Sequence, residues 1–488
     1  MTPKTVQEYI DETPSWPDGT GVTDAPMTTM QWRIWGLATA GKFFEGLVVF
    51  MTGVALPLMA LEFSLSATQK GMVGAASLFG ILVGASALGS LADIFGRKQM
   101  FIIEMILFTI FLALAAASPN FPLLIFALFG MGLALGCDYP TAHLVISESI
   151  PSQYRGRLVL GAFGFQAVGA LVGTIIGFLI LRSHESINDW RWMYTTAIIP
   201  AAVVMIARFF ITQSGAWLVS QGRMEEAAIA TEKLLLRNPV YPGKVTLKDP
   251  DEGSPDAQEQ KKSRFIKLFT KKKNRRATIL ASIPWFLQDI GTYGIGIFTP
   301  IILSKTLGVT NVHPRNLAEV IHKEMLGAQG AAMIDILLVV GMIAAVLLAD
   351  KVGRIKLQVF GFIGCACGLF LASLSANFSS GITQIVFIYA GFMIFNFMTN
   401  MGPNAMTYLL AGEVFPTKVR GMGAGFAASF GKIGAVMTAF LFPILLKDIG
   451  TMTLLHILIG TSLLGALITW QFRIETNGVN LEKITMES

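Results

Sequence analysis

Apolar residues along this chain come in continuous runs of roughly 20, without strict alternation and with few charges to break them. At 1.5 Å rise per residue such a run crosses a hydrocarbon core of about 30 Å. Twelve runs are present, over 33–59, 70–92, 100–118, 121–147, 158–181, 190–212, 277–303, 331–350, 356–376, 382–410, 421–446 and 450–473. A backbone inside lipid must satisfy its own amides, so runs of this length are helices. The ten-residue alternating pattern of a membrane barrel is absent. The pattern predicts an all-α polytopic membrane protein with twelve transmembrane helices.

Charge sets the topology. Arg97 and Lys98, Arg155 and Arg157, Lys351 and Arg354, and Lys418 and Arg420 fall between helices 2–3, 4–5, 8–9 and 10–11, while the 3–4 and 9–10 connections carry no base. Positive loops stay inside, which places both termini in the cytoplasm. The organisation expected is an N-terminal tail (1–32), a six-helix bundle (33–212), a cytoplasmic central loop (213–276), a second six-helix bundle (277–473) and a C-terminal tail (474–488). The first thirty residues are polar and acidic, unlike a cleaved signal peptide. The central loop ends in a basic run, 261–276, expected to lie along anionic headgroups.

Composition agrees and removes other classes. Of 488 residues, 53% are hydrophobic and 14% charged, so the setting is the cell membrane, plasma or inner. The net charge of +6 resides mainly in alternate loops, and topology explains it better than nucleic-acid binding. Three cysteines, Cys137, Cys365 and Cys367, sit inside apolar runs, too few for a disulfide framework or a zinc site. No metal, cofactor or nucleophile–base pattern is apparent, and no enzymatic activity is expected.

Two motifs occur in both halves in the same order. Leu91-Ala92-Asp93-x-x-Gly96-Arg97 returns as Leu348-Ala349-Asp350-x-x-Gly353-Arg354, and Glu148, Pro151, Arg155 and Gly156 return as Glu413, Pro416, Arg420 and Gly421. This is a duplication. Glycine lets helices approach, and the Asp, Glu and Arg side chains can pair across helices or with helix ends at the interface, which makes them gating residues.

Ionisable residues inside the runs are costly and point to function. Helix 1 carries Lys42 and Glu45, three apart on one face, either a self-neutralised pair or a coupling carboxylate. Helix 3 has Glu104; helix 4 has Asp138, Tyr139 and His143; helix 5 has Gln166. Helix 7 sets Trp285, Asp289 and Tyr293 at four-residue spacing in one stripe, helix 10 adds Asn404, and helix 11 adds Lys432, a buried ammonium that needs a partner and for which Asp289 is the candidate. Arg208, Asp335 and His456 read as structural or interfacial.

The paired motifs, twelve helices and long middle loop resemble the major facilitator superfamily across nearly the whole chain, in which two six-helix bundles rock about a central site. Within it, the set Gly136-Cys137-Asp138-Tyr139-Pro140, Gln166, Trp285-Phe286-Leu287-x-Asp289 with Tyr293, Gly402-Pro403-Asn404 and Lys432 resembles the phosphate:proton symporters. The resemblance implies a phosphate site lined by Tyr139, Gln166, Trp285, Asp289, Tyr293, Asn404 and Lys432, with Asp289, Asp138, Glu45 and Glu104 handling protons. Two departures stand out: Val48 replaces the second acid of the family's D-x-x-D in helix 1, and Thr141 and Ala142 occupy the place of its serine. The paired glutamines of sugar porters in helix 7 are missing. The function implied is proton-coupled symport of phosphate or a similar small anion, with membrane lipids and protons as further partners and a monomer as the admissible unit. Proton-coupled symport of an organic acid, metabolite or sugar-like solute stays open beside it, as does a non-transporting membrane sensor.

Overall fold

The computed structural model describes residues 3–12, 27–88, 91–237, 244–248, 268–270, 272–307, 317–378, 381–415 and 419–476; the side chains of Asp93, Tyr139 and Arg420 lie outside the described set. The spans are α1 (Thr29–Glu62), α2 (Ala67–Val83), α3 (Arg97–Ala116), α4 (Phe121–Ser149), α5 (Ser152–Ser183), α6 (Asp189–Arg208), α7 (Lys272–Leu307), α8 (Leu317–Val352), α9 (Arg354–Ser373), α10 (Ile382–Glu413), α11 (Arg420–Asp448) and α12 (Gly450–Gln471). Among the described residues eleven helices are long and apolar enough to cross a membrane. In the remaining predicted span, 70–92, α2 gives way to a π turn at Gly84–Leu88, and beyond residues 89–90, which lie outside the described set, stands a short helix, Leu91–Phe95. In α10 a second π turn, Asn400–Asn404, contains Pro403, whose missing N–H breaks the i→i−4 ladder.

Several ends differ from the reading of hydropathy. Helix α8 begins at Leu317 rather than near 331, because LAEVIHKEMLGAQG is a good helix-forming sequence whose polar residues hide it from an apolar scan. Among its described residues the central loop forms helices over Gly215–Ser220 and Met224–Leu235. Of its basic run, residues 261–267 lie outside the described residues, while 272–276 form the first turn of α7. There Arg276 donates to the carbonyls of Phe472 and Arg473 just past α12. Arg276 thus satisfies carbonyls at a helix C-terminus.

The described residues of the N-terminal tail pack onto the central loop. A capping box between Thr5 and Glu8 starts a helix over Val6–Asp11, whose Val6, Tyr9 and Ile10 bury against the central loop's Leu234, Leu235 and Val245. Lys4 pairs in parallel with Leu247. Asp11 accepts from the backbone N–H and hydroxyl of Ser152, both at 2.7 Å, at the start of α5. Tail, central loop and the basic connections therefore share one face, called the basic face below.

The halves meet along two seams, α5 on α8 and α2 on α11, with α1 and α7 crossing between them. Toward the face opposite the basic one, the far face, backbones touch. A Cβ on Gly53 of α1 would stand 2.1 Å from the carbonyl oxygen of Ile297 in α7, and one on Gly71 of α2 would stand 2.2 Å from that of Phe440 in α11. Toward the basic face the contacts between halves are made by side chains: Phe163 stacks on Tyr408 at 4.4 Å and Ser86 hydrogen-bonds Ser429. The far face is closed, and closed more tightly than the basic face. Gly53→Ala is expected to cost about 1–3 kcal/mol by overpacking. This should lower the thermal midpoint of the detergent-solubilised protein, whereas Gly460→Ala, where a Cβ meets nothing within 4 Å, should not. An unchanged midpoint for Gly53→Ala would contradict backbone contact there.

Candidate functional site

At the centre of the molecule four donors converge on one carboxylate. Glu45 of α1 accepts from Lys42 Nζ at 2.5 Å on Oε2. Its Oε1 accepts from Lys432 Nζ at 2.8 Å, from the Tyr293 hydroxyl at 3.0 Å and from Gln166 Nε2 at 3.4 Å. Lys432 also donates to the Tyr293 oxygen at 2.5 Å, and Gln166 donates to it at 2.9 Å. Glu45 and Lys432 are both buried. Their pair joins α1 of the first half to α11 of the second.

This corrects the expected partner of Lys432, which is Glu45 rather than Asp289. Asp289 is 2% exposed, and its Oδ2 has no hydrogen-bond partner. Trp285 lies one turn away with its indole against Gly431, the residue before Lys432. Val48, standing where a second acid is usual, is fully buried in the apolar core and bears no charge to compensate.

Asn404 stands in a separate chain of amides. Gln288 donates to its Oδ1 at 3.2 Å and to Thr292 at 2.7 Å, and Asn404 donates to Asn400 at 2.7 Å, which in turn donates to the carbonyl of Leu338. The π turn places two asparagines, 400 and 404, on this inner side. Gln288 Oε1 is buried without a partner. Sequence reasoning passed over Gln288 because it sits outside the Trp285–Asp289–Tyr293 stripe; its polarity inside an apolar run was the available signal.

Asp138 and Glu104 belong to a second cluster, built on Arg208 at the end of α6. Nη2 of Arg208 lies 2.7 Å from Asp138 Oδ1, an ion pair off the hydrogen-bond line, and Nη1 lies 3.9 Å from Glu104 Oε2. Arg208 also donates to the carbonyls of Phe101 and Leu37 and stacks on the Phe101 ring, while Thr141 donates to Glu104 at 2.7 Å. The guanidinium, wholly buried, ties α6 to α1, α3 and α4. Asp138 packs where a side chain on Gly41 would sit. A cleft of about 400 Å³, counting the part open to solvent, is lined by Lys42, Glu45, Asp138, His143, Phe163 and Tyr408 among others, so both clusters border the same space.

The repeated motifs form matching latches inside each half. Arg97 binds Glu148 through Nε and Nη2 and the carbonyl of Ala92 through Nη1; Arg354 binds Glu413, Asp350 and the carbonyl of Ala349. Gly96 and Gly353 precede them at φ of 94° and 96°, backbone that a side chain would strain. A third pair completes the symmetry. Ser214 donates to Glu148 and Thr476 to Glu413, while Gln213 accepts from the N–H of Lys98 and Glu475 from that of Arg354. The Gln213-Ser214 and Glu475-Thr476 dipeptides after α6 and α12 share no residue, so the sequence holds no repeat that marks them. Arg155 does not reach Glu148 and touches Ser152 instead. Among the described residues, Arg157 and Asp350 form an ion pair between the halves on this face at 3.6 Å.

Comparison with known proteins agrees with this architecture. The sequence profile of the family described as "Sugar (and other) transporter" matches residues 30–487. The inner membrane metabolite transport protein YgcS of Escherichia coli (strain K12) is 27% identical, over 94% of this chain and 94% of its own. A repressible high-affinity phosphate permease of Neurospora crassa is 26% identical over 85% of this chain and 78% of its own. The xylose transporter XylE from E. coli, in a partially occluded inward open conformation, superposes with a TM-score of 0.73 at 18% identity, covering 93% of this chain and 100% of XylE. The chain belongs to the sugar (and other) transporter family of the major facilitator superfamily, and it is a multi-pass membrane transporter rather than an enzyme.

Proposed function

We propose that the protein carries out proton-coupled symport of a small hydroxylated oxyanion, inorganic phosphate first among them. The observation that carries this reading is the convergence of Lys42, Lys432, Tyr293 and Gln166 on the oxygens of Glu45. Donors that satisfy a carboxylate satisfy a phosphate or carboxylate ligand by the same geometry. Glu45 occupies in the empty carrier the place an anionic substrate would take.

Coupling follows from charge. Ionised, Glu45 holds both ammonium groups and repels an incoming anion; protonated, it releases them and leaves a cationic site. Proton and anion therefore favour each other's binding, which is thermodynamic coupling. Asp289 Oδ2 and Gln288 Oε1, both buried and unpartnered, suit the hydroxyl donors that dihydrogen phosphate or a hydroxy acid carries in addition to its charged oxygens. Asp138, which borders the same cleft, and Glu104, held with it about Arg208, suit a proton route between Glu45 and the basic face. Alternating access has its parts in the tight far face, the Phe163–Tyr408 stack and the latches. An organic acid is the second reading, favoured by Lys42, which adds a second cation beside Glu45.

Purified protein in liposomes should accumulate labelled phosphate from an acidic exterior, and unlabelled phosphate should compete. Uptake driven equally well without a proton gradient, or competition by sugars alone, would end the assignment; competition by hydroxy acids but not phosphate would select the second reading. Glu45→Gln should cut gradient-driven accumulation by at least about tenfold while keeping exchange. Asp289→Asn should weaken apparent affinity about tenfold, the worth of one charge-assisted hydrogen bond, with coupling intact. Should the two effects be interchanged, Asp289 reads the proton and Glu45 does not. Tyr408→Ala should speed exchange by thinning the seal on the basic face, measured as a higher initial rate in counterflow; a slower rate would assign the stack to positioning instead.

A further inference from the structure

We infer that Asp335 is a proton-binding site on the seam between the two halves, separate from the central cluster, and that it must be protonated for the far face to close. Asp335 lies near the middle of α8 and is 2% exposed. Its Oδ2 is 2.8 Å from the hydroxyl oxygen of Thr174 in α5, across the seam, and its Oδ1 accepts from Asn396 Nδ2 of α10 at 3.2 Å. Among the described residues its neighbours supply no cation, and Lys42 of α1, a helix that also touches α8, is paired with Glu45. Between Arg157 and Arg182 helix α5 has no titratable residue, and around Asn396 helix α10 offers only Tyr389, whose hydroxyl lies by Gly330, and Tyr408, which stacks on Phe163. In α7 Tyr293 is committed to Glu45 and Lys432, and Asp289 sits one turn further toward the basic face; α8 itself is apolar from Ala331 to Ala349 apart from Asp335. A carboxylate in such a place is costly.

Counting hydrogens places the proton. Thr174 Oγ1 also lies 3.0 Å from the carbonyl of Ala170, so its single hydroxyl hydrogen faces two acceptors if Asp335 is ionised. With a proton on Oδ2 both short contacts become hydrogen bonds: Asp335 donates to Thr174, and Thr174 donates to Ala170. Asn396 completes the set at Oδ1. When the halves rock apart on the far side, Thr174 leaves with α5 and water reaches the carboxyl, which ionises; closing the seam again takes up one proton. No substrate enters this step, so it rests on alternating access alone and not on which anion is carried.

The test uses the full chain in nanodiscs with spin labels at Ser183→Cys and His322→Cys, exposed positions toward the far ends of α5 and α8, in a Cys367→Ser background. As pH rises, the open-to-closed ratio should increase, with the Asp335 site contributing up to about tenfold per pH unit beyond its midpoint, the linkage of one proton. Asp335→Asn, whose amide donates to Thr174 and accepts from Asn396 as the protonated acid does, should lower that slope by one proton and favour the closed form. Infrared difference spectra should lose one protonated-carboxyl stretch in the same variant. Asp335→Ala, which fits without strain, should lose the same proton if the asparagine variant folds poorly. A wild-type slope in these variants, or no missing carboxyl band, overturns the inference.

Discussion

A carboxylate and an ammonium, each untenable alone in hydrocarbon, stand 2.8 Å apart on opposite halves of this transporter. Lys432 is buried against Glu45, so in the proposed cycle the empty carrier is held together by the groups that must separate for it to work. Lys42 moderates the arrangement, because Glu45 keeps a cation on its own helix when Lys432 is drawn away. In the function proposed above, the protein's own carboxylate fills the substrate site until something of like charge takes its place.

The two halves share their latches but not their interiors. Arg97 with Glu148 and Ser214 is matched by Arg354 with Glu413 and Thr476, down to the positive-φ glycine before each arginine. In the membrane the first half gathers Glu104 and Asp138 about Arg208, whereas in the second Asp335 meets only neutral partners. Duplication conserved the frame of the gates, and the charged interiors diverged to different tasks.

Much of this was legible in the chain. Long apolar runs have one solution in a bilayer, so eleven of the twelve expected spans and the duplication followed from pattern alone. The end of α2 was not legible, since a π turn carries no compositional mark, and the start of α8 was masked by polar residues in a helix that outruns the apolar core. Within the site, Gln166, Tyr293 and Lys432 were recognised as lining residues and do meet. That Lys432 takes Glu45 rather than Asp289 depends on how α1 seats between α7 and α11, a contact 387 residues apart in sequence. Arg208 looked like an interfacial base because it ends α6; only packing reveals the two acids around it.

The contrast between the two seals has a consequence for time. On the far face the barrier is backbone against backbone at Gly53 and Gly71, and no rotamer change can breach it; whole helices must move, on the microsecond to millisecond scale. On the other side Phe163 and Tyr408 are rings on single bonds, and reorienting a side chain is intrinsically faster. The molecule thus runs on two clocks. One exit can flicker many times while the other stays shut, so a solute can be sampled and returned to the same side before the carrier commits to crossing.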